Sequence, residues 1–243
     1  MNRFMLFVGM GTALIAASAC QEKPDTPLTA AAARNDAEEL RRLLAAGHLP
    51  DDPGDALTPL TWAARAGAIE AMIVLLDAGA DVDARGRNRS QWTPLQHAIH
   101  RRETGAARLL LERGADPDAS SSPGSLTPLL IAAADPDPTV VKLLLTYGAN
   151  PRIGGEYGET PLTQAVSGGA LSDIDRPLLG GCRLATVRAL LERDPGLSIP
   201  DTYAGRSAIW WARFHGCAEV LAMVGARAEQ RAVGAHTGQR TRG

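Results

Sequence analysis

The segment TPLTWAARAGAIEAMIVLLDAGADVDARG, residues 58–86, contains the signals that decide the fold. Thr58 is a good helix N-cap, and Pro59 suits the first helical position, where the N–H that it lacks has no intrahelical partner in any case. An alanine-rich stretch that includes Leu60 and Trp62 follows up to Gly67, and a Val- and Leu-rich stretch then runs to Gly79. Glycine suits the left-handed position that ends a helix. The segment therefore predicts two short helices joined by a turn.

The same pattern recurs along the chain at a nearly fixed period. Thr-Pro-Leu copies begin 32 to 35 residues apart, at Thr26, Thr58, Thr93, Thr127 and Thr160, and a degraded sixth copy reads Ser207-Ala208-Ile209. Such self-similarity is the signature of a repeat array, in which each unit buries its apolar face against its neighbours. The second helix of each unit carries the predicted core, which is Val74-Leu75-Leu76, Leu109-Leu110-Leu111, Leu143-Leu144-Leu145 and Leu190-Leu191.

These units resemble the ankyrin repeat. Segments 58–86, 93–119 and 127–152 match its pattern along the unit, and the resemblance covers about residues 26–225. It implies an all-α solenoid of about six helix-turn-helix units joined by β-hairpin fingers. The first unit looks like a polar N-terminal cap, and the last, SAIWWARFHGCAEVLAMVGA (207–226), looks like a C-terminal cap.

The N-terminus has the pattern of an export signal. Residues 1–19 combine a positive start, an apolar run and small residues before Cys20. Ala17-Ser18-Ala19-Cys20 resembles the lipobox of bacterial lipoproteins, which implies lipidation of Cys20 and a short tether over residues 20–25. Gln21 is not the Asp that, by the same resemblance, retains lipoproteins at the inner membrane, so we expect anchoring to the outer membrane. Simple cleavage, giving a soluble periplasmic or secreted protein, is the alternative.

The fifth unit is longer than the others. From Thr160 to Ser207 the chain has about 14 residues more than the usual period, which we place at about residues 168–185. A variable surface loop and a partner-specific contact both explain this insertion. Export favours a disulfide between Cys182 and Cys217, and two buried thiols are the alternative. Stacked helices lie farther apart than a disulfide allows, so the insertion must bend to form one.

The resemblance also implies a concave protein-binding surface made of the fingers and the first helices. The fingers are expected at about 81–92, 116–126, 150–159 and 194–206. An arginine group indicates an acidic partner or phosphate-bearing headgroups, and a solvated charge run is the alternative. Finger aromatics indicate binding hot spots or packing on their own hairpins. The candidate partner-binding residues are Arg85, Arg87, Arg89, Trp92, Arg101, Arg102, Tyr157 and Tyr203.

Composition and motifs argue against several other functions. The net charge is −2 over 243 residues, so no overall positive field favours nucleic acid. His97 and His100 lie three residues apart, but the other ligands of a metal site are missing from the pattern. G-x-S-x-G, P-loop and G-x-G-x-x-G motifs are absent from the sequence. We expect no catalytic residues, metal or cofactor, and a flexible basic tail over 226–243.

The leading interpretation is a non-enzymatic protein-protein interaction module in the bacterial periplasm. It would present its concave surface to an exported or membrane-proximal protein and would be a monomer. Exported bacterial ankyrin proteins that resemble this chain take part in oxidative-stress defence, and others look like immunity or inhibitor proteins that neutralise a toxin or enzyme. A metal-dependent enzyme and a purely structural envelope spacer are the rival classes, because fold alone does not name the ligand.

Overall fold

The computed structural model of the protein describes residues 23–52, 54, 56–87, 91–120, 124–168 and 181–225. Several predicted features lie outside the described residues. They are the signal peptide, Cys20, Arg89, residues 169–180 of the insertion, and the tail from residue 226 onward.

Helices account for the regular structure of the described residues. In chain order they are α1 (Pro27–Ala33), α2 (Ala37–Ala45), α3 (Pro59–Ala66), α4 (Ile69–Asp77), α5 (Pro94–Arg101), α6 (Thr104–Glu112), α7 (Pro128–Ala133), α8 (Thr139–Thr146), α9 (Pro161–Ser167), α10 (Leu184–Arg193) and α11 (Tyr203–Phe214). Residues 218–225 are also helical, up to the end of the described part. These helices form six consecutive pairs, as predicted.

The fingers are turns rather than β-hairpins in the described residues, which contain no strand. Their backbone hydrogen bonds are isolated ones, such as those from Gly155 N to Glu159 O at 2.8 Å and from Arg87 N to Ala56 O at 2.7 Å. The described finger residues are therefore not held in place by a ladder of hydrogen bonds between strands.

Each Thr-Pro-Leu motif starts a helix. The threonine side chain accepts a hydrogen bond from the backbone N–H three residues later at Thr26, Thr58, Thr93, Thr127 and Thr160. At Thr26, Thr93 and Thr160 the side chain of the third helical residue in turn accepts a hydrogen bond from the cap's own backbone N–H, which completes a capping box. Each such cap stabilises its helix by about 1 kcal/mol. Three second helices are followed by left-handed glycines, Gly79, Gly114 and Gly148, with φ of 88°, 90° and 91°.

The helices form two layers. The odd-numbered helices pack in sequence against one another, and so do α2, α4, α6, α8 and α10. In the first layer Ala63, Ala98 and Ala132 are buried, and such small side chains allow neighbouring helices to approach closely. In the second layer most of the predicted stripe is buried, with Leu75 and Leu110 fully inaccessible, whereas Leu76 and Leu109 are only partly buried. The core is therefore continuous along the array.

The last helix pair differs from the prediction in where its first helix begins. α11 begins at Tyr203 and not near Ser207, so it has 12 residues where the other first helices have six to eight. A threonine cap is retained, because Thr202 accepts from Gly205 N at 3.1 Å. Tyr203 is thus helical rather than a finger residue. The outer face of α11 carries an aromatic side chain, since Trp210 is 57% exposed.

The ends of the insertion are held together. Cys182 and Cys217 form a disulfide with a Cα separation of 5.6 Å. The neighbouring Arg183 side chain is buried and donates from Nη2 to Gly168 O at 3.2 Å. These contacts join the turn after α9, the start of α10 and the turn after α11.

Candidate partner-binding site

Trp92 is fixed against the helix that follows it. It directly precedes the Thr93 cap, and its ring packs on two histidines of α5. The ring centroids lie 5.4 Å from His97 in a tilted arrangement and 5.3 Å from His100 edge to face. Contact between the residue before the cap and the fourth helical residue is the arrangement of a hydrophobic staple. Trp92 remains half-buried, so part of its ring faces outward.

His97 supplies an uncharged support for that ring. It is 7% exposed. Burial lowers its pKa to about 3, and the nearby positive charges of Arg65, His100 and Arg101 act in the same direction. His97 is therefore neutral at physiological pH. Its Nε2 atom is buried and makes no hydrogen bond with the described residues.

Cationic side chains flank this aromatic surface. The Arg65 guanidinium lies 5.0 Å from the centroid of the buried Trp62 ring, at cation–π distance. Arg101 is exposed at the end of α5. The helices α3 and α5, together with the finger before α5, thus bring one group together, here called the Trp92 cluster: Trp62, Arg65, Trp92, His97, His100 and Arg101.

The remaining predicted arginines differ in role. Arg85 is a structural residue, because it donates to Gln91 O at 2.7 Å and to Ser120 O in the next finger at 3.1 Å. Arg102 has a left-handed backbone with φ of 64°, and its Nε lies 2.6 Å from Asp135 Oδ2. Arg87 is exposed and stays available to a partner.

The two predicted tyrosines lie away from the Trp92 cluster in the chain order of the units. Tyr157 is 76% exposed in the finger that precedes α9, and Tyr203 is 77% exposed at the start of α11. The structure therefore does not unite all the predicted residues into one site. Trp92 and Arg101 both lie near His97, whereas each tyrosine lies in another unit.

A chain of carboxylates links successive fingers, and the sequence analysis missed it. Asp51, Asp83 and Asp118 accept hydrogen bonds from the backbone N–H groups of Asp81, Asp116 and Asn150, at 3.1, 3.0 and 2.9 Å. Burial raises the pKa of the three accepting carboxyls. The repeated Ala-Asp-x-Asp at 80–83 and 115–118 was the available signal. Each finger is thereby positioned by its neighbour.

No group of three or more His, Cys, Asp or Glu side chains in the described part of the chain is arranged to hold a metal ion. None of the helices that the structure describes is both long and apolar enough to cross a membrane.

Comparison with known families agrees with the stacked helix pairs and their capped motifs. The family profile described as Ankyrin repeats (3 copies) matches residues 8–86 and 28–121, and the profile of the single Ankyrin repeat matches 125–155. The chain belongs to the ankyrin-repeat family. Ankyrin arrays present extended surfaces to other proteins, which makes this chain a protein-protein interaction module.

Individual relatives share the repeats with this ankyrin chain. An ankyrin repeat-containing protein of Treponema pallidum is 35% identical over 99 residues, which is 41% of this chain and 33% of that protein. Human SH3 and multiple ankyrin repeat domains protein 2 is 33% identical over 156 residues, covering 63% of this chain and 8% of that protein. The mouse B-cell lymphoma 3 protein homolog is 34% identical over 113 residues, covering 46% of this chain and 25% of that protein. The chain thus spans a third or less of these relatives.

Proposed function

We propose that this protein is a non-enzymatic binding module of the bacterial periplasm, and that it binds an exported or membrane-proximal protein through the Trp92 cluster and Arg87. The observation that carries the proposal is the fixed Trp92 ring, which packs on His97 and His100, while the positive charges of Arg65 and Arg101 act on His97. Tryptophan and arginine are the residue types most enriched among interface hot spots.

The physical advantage of this arrangement is that little order has to be gained on binding. Because α5 already holds the Trp92 ring, binding does not have to pay for fixing its rotamer. The neutral state of His97 keeps the support of the ring apolar, while Arg87 and Arg101 provide positive charge at the edge. An acidic surface with an apolar centre fits this chemistry best, since complementary charge also speeds association.

The proposed location rests on the sequence of the N-terminus. Residues 1–19 have the export pattern, and the lipobox-like segment that ends at Cys20 supports a lipid anchor in the outer membrane. Two or more acyl chains give stable anchoring, where one is marginal. Mass spectrometry of the N-terminal peptide from host envelopes tests this proposal. We expect Cys20 to be acylated. An N-terminal Cys20 without acyl groups would instead indicate an exported protein that has no lipid anchor.

Affinity capture from the envelope tests the proposed binding site. We expect a protein captured by the wild type to be lost when Trp92, Arg87 and Arg101 are changed to Ala, because a hot-spot tryptophan alone contributes about 1–3 kcal/mol. Arg108→Ala is the matched control, since Arg108 is an exposed arginine on α6 in the other helix layer. If the wild type, the triple variant and Arg108→Ala all capture the protein equally well, the binding site lies elsewhere on the array.

A further inference from the structure

The outer face of α11 carries an exposed aromatic stripe. Tyr203, Ser207, Trp210 and Phe214 follow one another at helical spacings, which places them within about 60° on one side of the helix. Tyr203, Trp210 and Phe214 are 77%, 57% and 66% exposed. The rings of Trp210 and Phe214 are stacked, with centroids 5.3 Å apart. We call these four residues the α11 stripe.

The register of the repeats shows what this face does in the other units. The carbonyl groups of Ala63, Ala98 and Ala212 each accept a hydrogen bond from the backbone N–H five residues later, so these alanines hold equivalent positions in their units. Trp210 lies two residues before Ala212. Trp210 therefore corresponds to Thr61 and Gln96, which are both fully buried. Gln96 contacts the following unit directly, since its Nε2 donates to Leu126 O at 2.6 Å. At Trp210 and Ser207 the α11 stripe thus occupies positions that are buried in earlier units, whereas Phe214 corresponds to Arg65 and His100, which are only partly buried.

The spacing of the α11 stripe is self-complementary. If two α11 helices pack antiparallel about a two-fold axis between residues 208 and 209, Tyr203 faces Phe214 of the other copy. Ser207 then faces Trp210 of the other copy. Large side chains opposite small ones allow close packing, and aromatic pairs add favourable edge or stacked contacts.

We propose that a second copy of this chain occupies the α11 stripe, which makes α11 an antiparallel dimerisation helix. An aromatic side chain has about 200 Å² of surface to bury, and these three are on average about two-thirds exposed, so together they supply roughly 400 Å² per copy and roughly 800 Å² per pair. Specific complexes bury about 1,200 Å² or more, so Ser207 and the flanking Arg206 and Arg213 must contribute the remainder. The dimer is consequently reversible, and this differs from the monomer expected from sequence.

The segment after residue 225 is a poorer occupant by composition. Residues 226–243 contain four arginines, and their only apolar side chain larger than alanine is Val233. Such a segment has little apolar surface with which to bury three aromatic rings. A helix of another protein would fit the shape of the face, but it would not account for the self-complementary spacing.

Sedimentation equilibrium over a wide concentration range tests the proposal. The full chain is used with Cys20→Ser, so that no acyl group affects the measured mass. We expect reversible dimers of the wild-type stripe. Trp210→Glu and Ser207→Trp should each weaken association by roughly 30-fold or more, the size of an interface hot spot. Tyr157→Glu changes an aromatic that is 76% exposed outside the stripe and should leave association unchanged.

A swap of two residues tests the antiparallel register itself. Ser207→Trp combined with Trp210→Ser again places a large side chain opposite a small one, so the double variant should recover most of the affinity that each single variant loses. Circular dichroism checks that each variant is folded. A wild type that remains monomeric throughout, or Trp210→Glu without effect, would overturn the dimer. Dimers that form only after residues 226–243 are deleted would identify that segment as the occupant instead, and an unrecovered double variant would overturn the register.

Discussion

One position of the first helices illustrates how single residues differ between units. In the first five units the residue four after the capping threonine is Ala30, Trp62, His97, Ile131 and Gln164. All are buried or partly buried. The polar members carry a cost, because His97 Nε2 and Gln164 Oε1 are buried without a hydrogen-bond partner among the described residues. Such an unsatisfied group costs about 1–3 kcal/mol. At His97 this cost accompanies a specific role, the support of Trp92.

His97 makes the stability of the protein sensitive to acid. Its pKa is about 3 in the folded protein and near 6.5 when unfolded. Between these values the unfolded state binds a proton that the folded state does not, so stability falls as pH falls, by up to about 1.4 kcal/mol per pH unit. Between pH 6.5 and 4.5 the free energy of unfolding should therefore fall by roughly 2–3 kcal/mol less in His97→Ile than in the wild type. The isoleucine copies the residue at the same position of the next unit.

Urea unfolding at pH 7.0, 5.5 and 4.5 measures this difference. The carboxyls of Asp51, Asp83 and Asp118 act in the opposite direction because their pKa values are raised, but their contribution is common to both proteins. His100→Gln is the control, since His100 is only half-buried. An equal pH dependence in the wild type and His97→Ile would contradict the assignment.

At the scale of elements, the disulfide holds together the part of the chain that departs most from the repeat. It joins the start of α10 to the turn after α11, across 35 residues of sequence. The other units rely on turn glycines and on contacts between successive helices. The disulfide thus links the last two units at the place where the insertion interrupts the regular turn between two helices.

Reduction should therefore destabilise the last two units selectively. The chain-entropy estimate for a loop of this length is about 3–4 kcal/mol. Hydrogen exchange with and without reductant measures the effect, and we expect faster exchange over α10, α11 and residues 218–225. In a repeat array each unit contacts only its neighbours, so α3 to α6 should change little. The Cys182→Ser/Cys217→Ser variant should not respond to reductant, and wild-type exchange that is unaffected by reduction would contradict the stabilising role.

Local signals explain which elements the sequence could predict. Threonine caps, left-handed glycines and the leucine stripe act within a few residues, and the structure confirms them at Thr58, Gly79 and Leu110. The start of α11 was placed wrongly because helix length there depends on packing and on a cap at Thr202 without a following proline. The effect of the Arg65 charge on His97 was not predictable in the same way, since it arises between neighbouring units.

At the scale of the whole molecule, stability is distributed along the array and does not reside in one central core. Each unit buries its leucines against the units on either side, and α6 lies between α4 and α8. Damage in the middle of such an array weakens two interfaces at once, whereas damage at an end weakens one.

Leu110→Ala should consequently be strongly destabilising. Leu110 is fully buried in α6, and truncation leaves a cavity that costs about 2–5 kcal/mol. Leu109→Ala is the matched control, because the adjacent Leu109 is only partly buried and should cost clearly less. Urea unfolding measures both variants. A neutral Leu110→Ala would contradict the assignment of the leucine stripe to the core.

The carboxylate chain between the fingers has a consequence for how such a gene can change. Asp83 and Asp118 hold the same place in successive units, so a recombination that removes residues 84–118 joins Asp83 to Ala119 and leaves its carboxylate opposite the Asn150 amide. The shortened array keeps a matching acceptor at the new junction, yet it loses Trp92 and His97 with the deleted unit. Unequal exchange between repeats can therefore discard a recognition surface while preserving a foldable product.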